Sequence, residues 1–150
     1  MTGAMVRIQY LTGMRPGELC AMRPCDLDRS QPEWKYVVRV ENAKVGVETY
    51  WLGPRAQKAL SEWLTGVPDG APIFHITAGT YRRHIGEHCA AAGVKPWAPH
   101  QLRHSHGTNV TNLFGQEGAM AALNHSELKT SRRYSRTSSA LARRIAGEMG

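Results

Sequence analysis

Tyr134 stands between arginines in the stretch HSELKTSRRYSR, residues 125–136, nine positions after His125. A tyrosine in so basic a run packs, contacts a nucleic acid or acts as a nucleophile, and the rest of the chain bears on which. TGMRPGEL puts Arg15 at the start of a helix opened by Pro16, beside amides that favour an anion. PHQLRH puts His100 and Arg103 three residues apart, hence on one helical face. Lys44 lies at the tip of a hairpin, and LNH ends a helix at His125. Taken singly, these are capping histidines, surface arginines and a turn lysine. Taken together, they are what phosphoryl transfer without a metal requires. Two guanidiniums can hold non-bridging phosphate oxygens bidentately and stabilise a pentacovalent state. A tyrosine can attack covalently once a base removes its proton, and a lysine can protonate the departing alkoxide.

A competing motif is HIGEH, residues 84–88, which fits the H-x-x-E-H zinc pattern. A catalytic zinc needs a third protein ligand, and no downstream acid sits in a context that marks it as one. Gly86 also weakens the helix beneath the pair. His84 and His88 are therefore expected as exposed polar positions on a basic helix, with no metal bound.

The elements that must position these groups follow from periodicity and punctuation. Residues 4–12 read as the end of an apolar helix stopped by Gly13, beginning abruptly as though cut. PGELCAM opens a short helix. KYVVRVENAKVGVETYWL shows β-branched and aromatic runs on either side of NAKVG, a hairpin signal. Pro54 starts an amphipathic helix ended by Gly66, and a further helix covers 79–92 up to Gly93. Helices are then expected over 100–113, 117–124, 127–134 and 138–148. The fold class is α+β, mostly helical with a small antiparallel sheet near the N-terminus.

The length of 150 residues suits one domain, 1–150, with a core that needs no metal or disulfide staples. No apolar run approaches the roughly 18–20 residues of a membrane span, so no membrane is expected. MTGAMVRIQYLTG lacks the pattern of a signal peptide. Cys20, Cys25 and Cys89 have no metal-type spacing and are expected as buried free thiols in a reducing compartment. The formal charge of +7 collects at Arg82–Arg83, Arg132–Arg133–Arg136 and Arg143–Arg144. A phosphate backbone is its natural partner, with a solvated basic face the plainer alternative.

The order TGMRPGEL, AKVG, HQLRH, LNHSELKTSRRYSR resembles the catalytic domain of the tyrosine recombinases, the phage integrase family, from about residue 8 to 136. The resemblance implies site-specific DNA cleavage and rejoining through a 3′-phosphotyrosyl intermediate, with chemistry like that of type IB topoisomerases. Arg15 and Arg103 would clamp the scissile phosphate and Tyr134 would attack it. His100 would act as base on the tyrosine or hold it for attack, Lys44 would be the acid for the 5′-hydroxyl, and His125 would bond a phosphate oxygen. Glu18 would orient Arg15, and His104 would support the site from behind. Thr80, Arg82 and Arg83, at the start of helix 79–92, would meet DNA. The implied partner is double-stranded DNA in the cytoplasm, at the nucleoid; no cofactor, metal or small-molecule substrate is implied.

Leu141, Ile145 and Met149 form an apolar stripe on the last helix. In this family such a helix often docks on a neighbouring copy, so self-association on DNA is one expectation and folding back onto its own domain the other. The chain departs from the family pattern in three places. The N-terminal helical domain that closes a clamp around DNA has no counterpart in these residues, which would lower affinity for DNA. Asn124 stands where glycine is usual, a mild change because asparagine tolerates a left-handed helix end. NAKVG lacks a second lysine often found there, and Lys35 is the alternative acid. A catalytically silent, DNA-binding remnant of an integrase is the rival reading; all six catalytic positions are filled, which argues against it.

Overall fold

The structure, a computed structural model, describes residues 1–43, 48–124 and 134–150, with side chains from 139 onward in the last segment. The first helix, α1 (Thr2–Thr12), stops where Gly13 turns left-handed at φ 67°, returning its N–H to the Gln9 carbonyl. A Cβ on Gly13 would lie 2.5 Å from His106 Cδ2 and 2.7 Å from Leu123 Cδ2. Both the backbone angle and the close approach of a later helix therefore call for glycine. Pro16 then fixes the first position of α2 (Pro16–Ala21), and Glu18 reaches back to the Arg15 N–H at 2.7 Å.

Three antiparallel strands follow in the order β1 (Leu27–Asp28), β2 (Trp34–Val37), β3 (Thr49–Leu52). Their register sets Tyr36 opposite Tyr50 and Lys35 opposite Trp51. Side chains alternate across a strand, so Tyr36, Tyr50 and Leu52 face the core while Lys35 faces away. The hairpin expected around NAKVG is present as β2 and β3; its tip, residues 44–47, lies outside the described residues.

Helix α3 (Pro54–Ser61) is shorter than the run to Gly66 expected from its apolar pattern. Beyond Ser61 the chain turns, and Trp63 packs against Phe74 with ring centroids 5.8 Å apart. Helix α4 (Ala78–Ala91) is capped by Thr77, whose hydroxyl accepts from the Thr80 N–H at 3.1 Å. The two helices expected over 100–113 and 117–124 are the halves of α5 (Pro99–Ala122), broken at Gly115 with φ 73°. The helix expected over 127–134 lies outside the described residues. The last helix, α6 (Tyr134–Met149), begins earlier than the 138 expected.

The core gathers Met5, Ile8 and Leu11 of α1, Leu19 of α2, Tyr36, Tyr50 and Leu52 of the sheet, Leu60 of α3, and Tyr81 and Ile85 of α4. Each such side chain contributes about 1.5–3 kcal/mol by leaving water. Gln9 is buried among them and stays satisfied, donating to the Met14 carbonyl and accepting from the Tyr81 hydroxyl. Helix α6 lies against α5 and β3, with Ala142, Ile145 and Ala146 buried. At its far end the Gly150 carbonyl accepts from the Ala56 N–H at 2.8 Å. A Cβ on Gly53 would come within 1.9 Å of the Ala146 carbonyl, so glycine is what admits α6 here. Of the three thiols, Cys20 and Cys89 are buried as expected, but Cys25 is exposed. It sits on the surface turn Pro24–Asp26, where Arg39 Nη2 approaches its sulfur at 3.3 Å.

Candidate active site

The loop from Gly13 to Pro16 carries one arginine and receives another. Arg15 precedes α2, and its Nη1 donates to Glu18 Oε1 at 2.7 Å and to Glu48 Oε2 at 2.5 Å. Arg103 comes from α5 and is buried. Its Nη1 donates to the Gly13 carbonyl at 2.6 Å and to the Tyr50 hydroxyl at 3.0 Å, and its Nη2 to the Leu123 carbonyl at 2.6 Å. One guanidinium thus fixes the end of α1, the middle of β3 and the end of α5 relative to one another. A charged group so buried needs this full set of acceptors.

Glu18 and Glu48 are both almost fully buried. Burial, then the neighbouring Glu18 carboxylate, pushes Glu48 up to about 7. Burial would also raise Glu18, but hydrogen bonds from Glu48, Tyr50 and Arg15 outweigh it and hold Glu18 below the usual carboxylate range. Of the two carboxyls, Glu48 is therefore the one that takes up a proton first. Burial likewise raises the Tyr50 hydroxyl well above the ordinary tyrosine range. Tyr36, opposite Tyr50, donates to the Glu18 backbone carbonyl at 2.9 Å.

Asn124 has φ 51°, the left-handed conformation expected of it. Its side chain does more than tolerate that angle: Nδ2 donates to the Thr49 carbonyl at 2.7 Å and Oδ1 accepts from the Thr49 N–H at 3.3 Å. The residue just before His125 is thereby clipped to β3 at Thr49, the neighbour of Tyr50 on that strand. His106, one turn beyond Arg103, packs its ring on Gly13 and donates from Nδ1 to the Tyr10 carbonyl at 2.9 Å. Burial, with Arg103 nearby, pushes its pKa down to about 4, so the ring is neutral at pH 7.

The structure brings together Arg15, Glu18 and Arg103. It places His100 and His104 on the exposed side of the first turns of α5, without a hydrogen bond from either ring among the described residues. Tyr134 is the first residue of α6, and its side chain lies outside the described residues, as do Lys44 and His125. Lys35 faces the side of the sheet away from both arginines. Thr80, Arg82 and Arg83 lie at the start of α4; the Thr80 hydroxyl is 3.1 Å from that of Thr77, Arg82 is exposed, and Arg83 approaches Glu87 at 3.5 Å. His84 and His88 share this helix, and among the described residues no group of His, Cys, Asp or Glu is placed to hold a metal ion. Glu48, Tyr50 and His106 were not singled out in the sequence. For His106 the only local signal was a third histidine in HQLRHSH.

Among the described residues no helix is long and apolar enough to cross a membrane. The chain is 28% identical over 146 residues to the tyrosine recombinase XerC of Corynebacterium glutamicum, covering 90% of this chain and 46% of that protein. It is 30% identical over 159 residues to XerC of Bifidobacterium longum subsp. infantis, covering 90% and 43%. The chain thus spans less than half the length of the curated relatives it matches. Two solved structures share the fold, each with a TM-score of 0.67: the Tn1549 transposon integrase with circular intermediate DNA, and the XerH site-specific recombinase on its difH substrate. The first is 18% identical, over 91% of this chain and 58% of that one; the second is 19% identical, over 93% and 42%. With residues 1–140 following the family's sequence model, this chain belongs to the phage integrase family.

Proposed function

We propose that residues 1–150 form the catalytic domain of a site-specific DNA recombinase that cleaves and rejoins strands through tyrosine. The observation that carries the reading is the convergence of Arg15 and Arg103 on one cluster around Tyr50, the first half-exposed at its rim and the second fixed beneath it. Such a pair suits a phosphodiester, which offers two non-bridging oxygens to two planar donors.

In this reading the Tyr134 oxygen attacks phosphorus while its proton passes to His100. The bond from phosphorus to the 5′-oxygen breaks, and Lys44 gives that oxygen a proton. The result is a 3′-phosphotyrosyl bond and a free 5′-hydroxyl, and attack by another 5′-hydroxyl reverses the step. Arg15, Arg103 and His125 hold the phosphate oxygens, Glu18 orients Arg15, and His104 supports the site. Bond energy is kept in the phosphotyrosine, so no nucleotide is consumed. Double-stranded DNA at the nucleoid is the partner, with Thr80, Arg82 and Arg83 of α4 facing the groove.

Self-association through α6 belongs to the same proposal. Ile145 is buried within its own chain, so docking on a neighbour would require α6 to leave that seat. Sedimentation of a chain ending at Thr137 tests it: an unchanged assembly state on DNA removes the docking role.

Covalent trapping tests the chemistry. The protein is incubated with a pool of DNAs bearing a 5′-phosphorothiolate at the scissile bond, whose leaving group does not return. A denaturation-resistant protein–DNA adduct is expected, and it should vanish in Tyr134→Phe. Binding without any adduct would favour a silent DNA-binding remnant.

A further inference from the structure

Glu48 is a buried carboxylate that the proposed chemistry leaves without a role. Its side chain is 2% exposed and meets Arg15 Nη1 at 2.5 Å, with Glu18 Oε1 on the same nitrogen at 2.7 Å. A terminal guanidinium nitrogen has two hydrogens, and two acceptors on it use both. Nη1 is the nitrogen on the Cδ side of the group. The Nε–H and the neighbouring Nη2–H form the opposite edge, a two-pronged donor with no protein partner among the described residues. Both carboxylates are sealed in while the Arg15 side chain is 21% exposed. A ligand therefore reaches the guanidinium from the side that the carboxylates leave open.

We propose that Glu48 is a positioning residue for phosphate binding: with Glu18 it occupies both hydrogens of Arg15 Nη1 and turns the Nε–Nη2 edge of the guanidinium toward the phosphate. The inference rests on the phosphate-holding role proposed for Arg15. Glu48 is itself fixed, because its carbonyl accepts from the Val38 N–H at 2.9 Å where β3 begins. Glu18 does not suffice alone. Its Oε2 is tied to the Arg15 backbone N–H at 2.7 Å, and its Oε1 gives Nη1 a single acceptor about which the group can pivot. Arg103 needs no such residue, since two backbone carbonyls and the Tyr50 hydroxyl hold it.

Glu48→Gln and Glu48→Met test the role as a pair. Both remove the charge at nearly the same side-chain length, and only glutamine keeps an oxygen that accepts from Nη1. Any effect of the lost charge is common to both variants. The difference between them reads the acceptor.

Two readouts decide it. In protein labelled with guanidino-15N arginine, the Arg15 signals are assigned by Arg15→Lys. Two acceptors on Nη1 should hinder rotation of the group, so Nη1 and Nη2 give separate signals. Glu48→Met should merge them, and Glu48→Gln should keep them apart. Separate signals in the methionine variant overturn the proposal. In the phosphorothiolate assay Glu48→Met should form adduct roughly ten- to hundredfold more slowly than Glu48→Gln, with the two equal in DNA affinity. Equal rates overturn it, as does a difference that lies wholly in affinity. If the unaltered protein forms no adduct, the proposed function fails, and the arginine spectra still decide whether Glu48 sets the edge. Should Glu48→Met not fold, the spectra are read on Glu48→Asp, whose carboxylate falls one carbon short, and unchanged Arg15 signals there overturn it.

Discussion

Glu48 Oε2 shares Nη1 of Arg15 with Glu18 Oε1, so two buried carboxylates close on one guanidinium. With Glu48 protonated the trio is neutral; with Glu48 ionised it carries a net negative charge. The groups facing Glu48 are Arg15 and Glu18, and together with burial they place its pKa at about 7, above the ordinary 4.5. A raised folded-state value means stability fully present below about 4.5 and lost as pH rises through about 7. Glu18, shifted the other way, contributes stability lost only as pH falls, so the two windows separate.

The first prediction follows from that sign. Between about pH 5.5 and 8 the domain should lose on the order of 1–3 kcal/mol, read as a falling melting temperature. Glu48→Gln imitates the protonated form and should flatten the slope, making the variant the more stable protein at pH 8. Affinity for DNA should fall over the same range and be rescued by the same change. An equal slope in the variant would remove Glu48 from the titration.

A second prediction concerns the clip ahead of His125. Asn124→Gly keeps the left-handed angle but loses both bonds to Thr49, at a cost of roughly 1–2 kcal/mol. Asn124→Ala loses the bonds and adds left-handed strain, for a further ~1 kcal/mol or more. Chemical denaturation should therefore rank Asn above Gly above Ala. A glycine variant as stable as the parent would mean that the amide bonds to Thr49 contribute nothing.

The start of α4 carries a third. Arg82 is exposed and makes no ion pair among the described residues, while the Arg83–Glu87 pair is long and exposed and yields easily. Changing both arginines to alanine should weaken DNA binding and reduce the slope of log K against log salt by about 0.9 per lost phosphate contact. Anisotropy titrations over a salt series measure it, and an unchanged slope takes these residues out of the interface.

Much of this was legible from local chemistry. Gly13, Pro16 and Pro54 mark helix ends because their backbones allow little else there, and the β-branched and aromatic runs KYVV and TYWL mark the sheet. Asn124 announced its left-handed angle. What could not be read is what depends on contacts made far along the chain. Glu48 meets Arg15 across 33 positions and Tyr50 meets Arg103 across 53. No spacing rule links them, since sheet register and the crossing of α5 over Gly13 bring them together. Helix α3 ended early for the same reason, where the chain turns and Trp63 meets Phe74. Cys25 was expected inside on composition, although a surface turn holds it.

The anchoring of α6 at Gly53 and Ala56 has a mechanical consequence. From Met149 back to Tyr134 the helix is a lever of about 22 Å, fixed at the end remote from the tyrosine. A tilt of about 5° at that anchor moves the other end by about 2 Å, comparable with the 3–3.5 Å spacing from which a nucleophile attacks. If Tyr134 is that nucleophile, the aim of the reaction is set in part by a glycine at the far end of the helix. A side chain at Gly53 would then act as a misalignment, felt in the rate before the fold gives way.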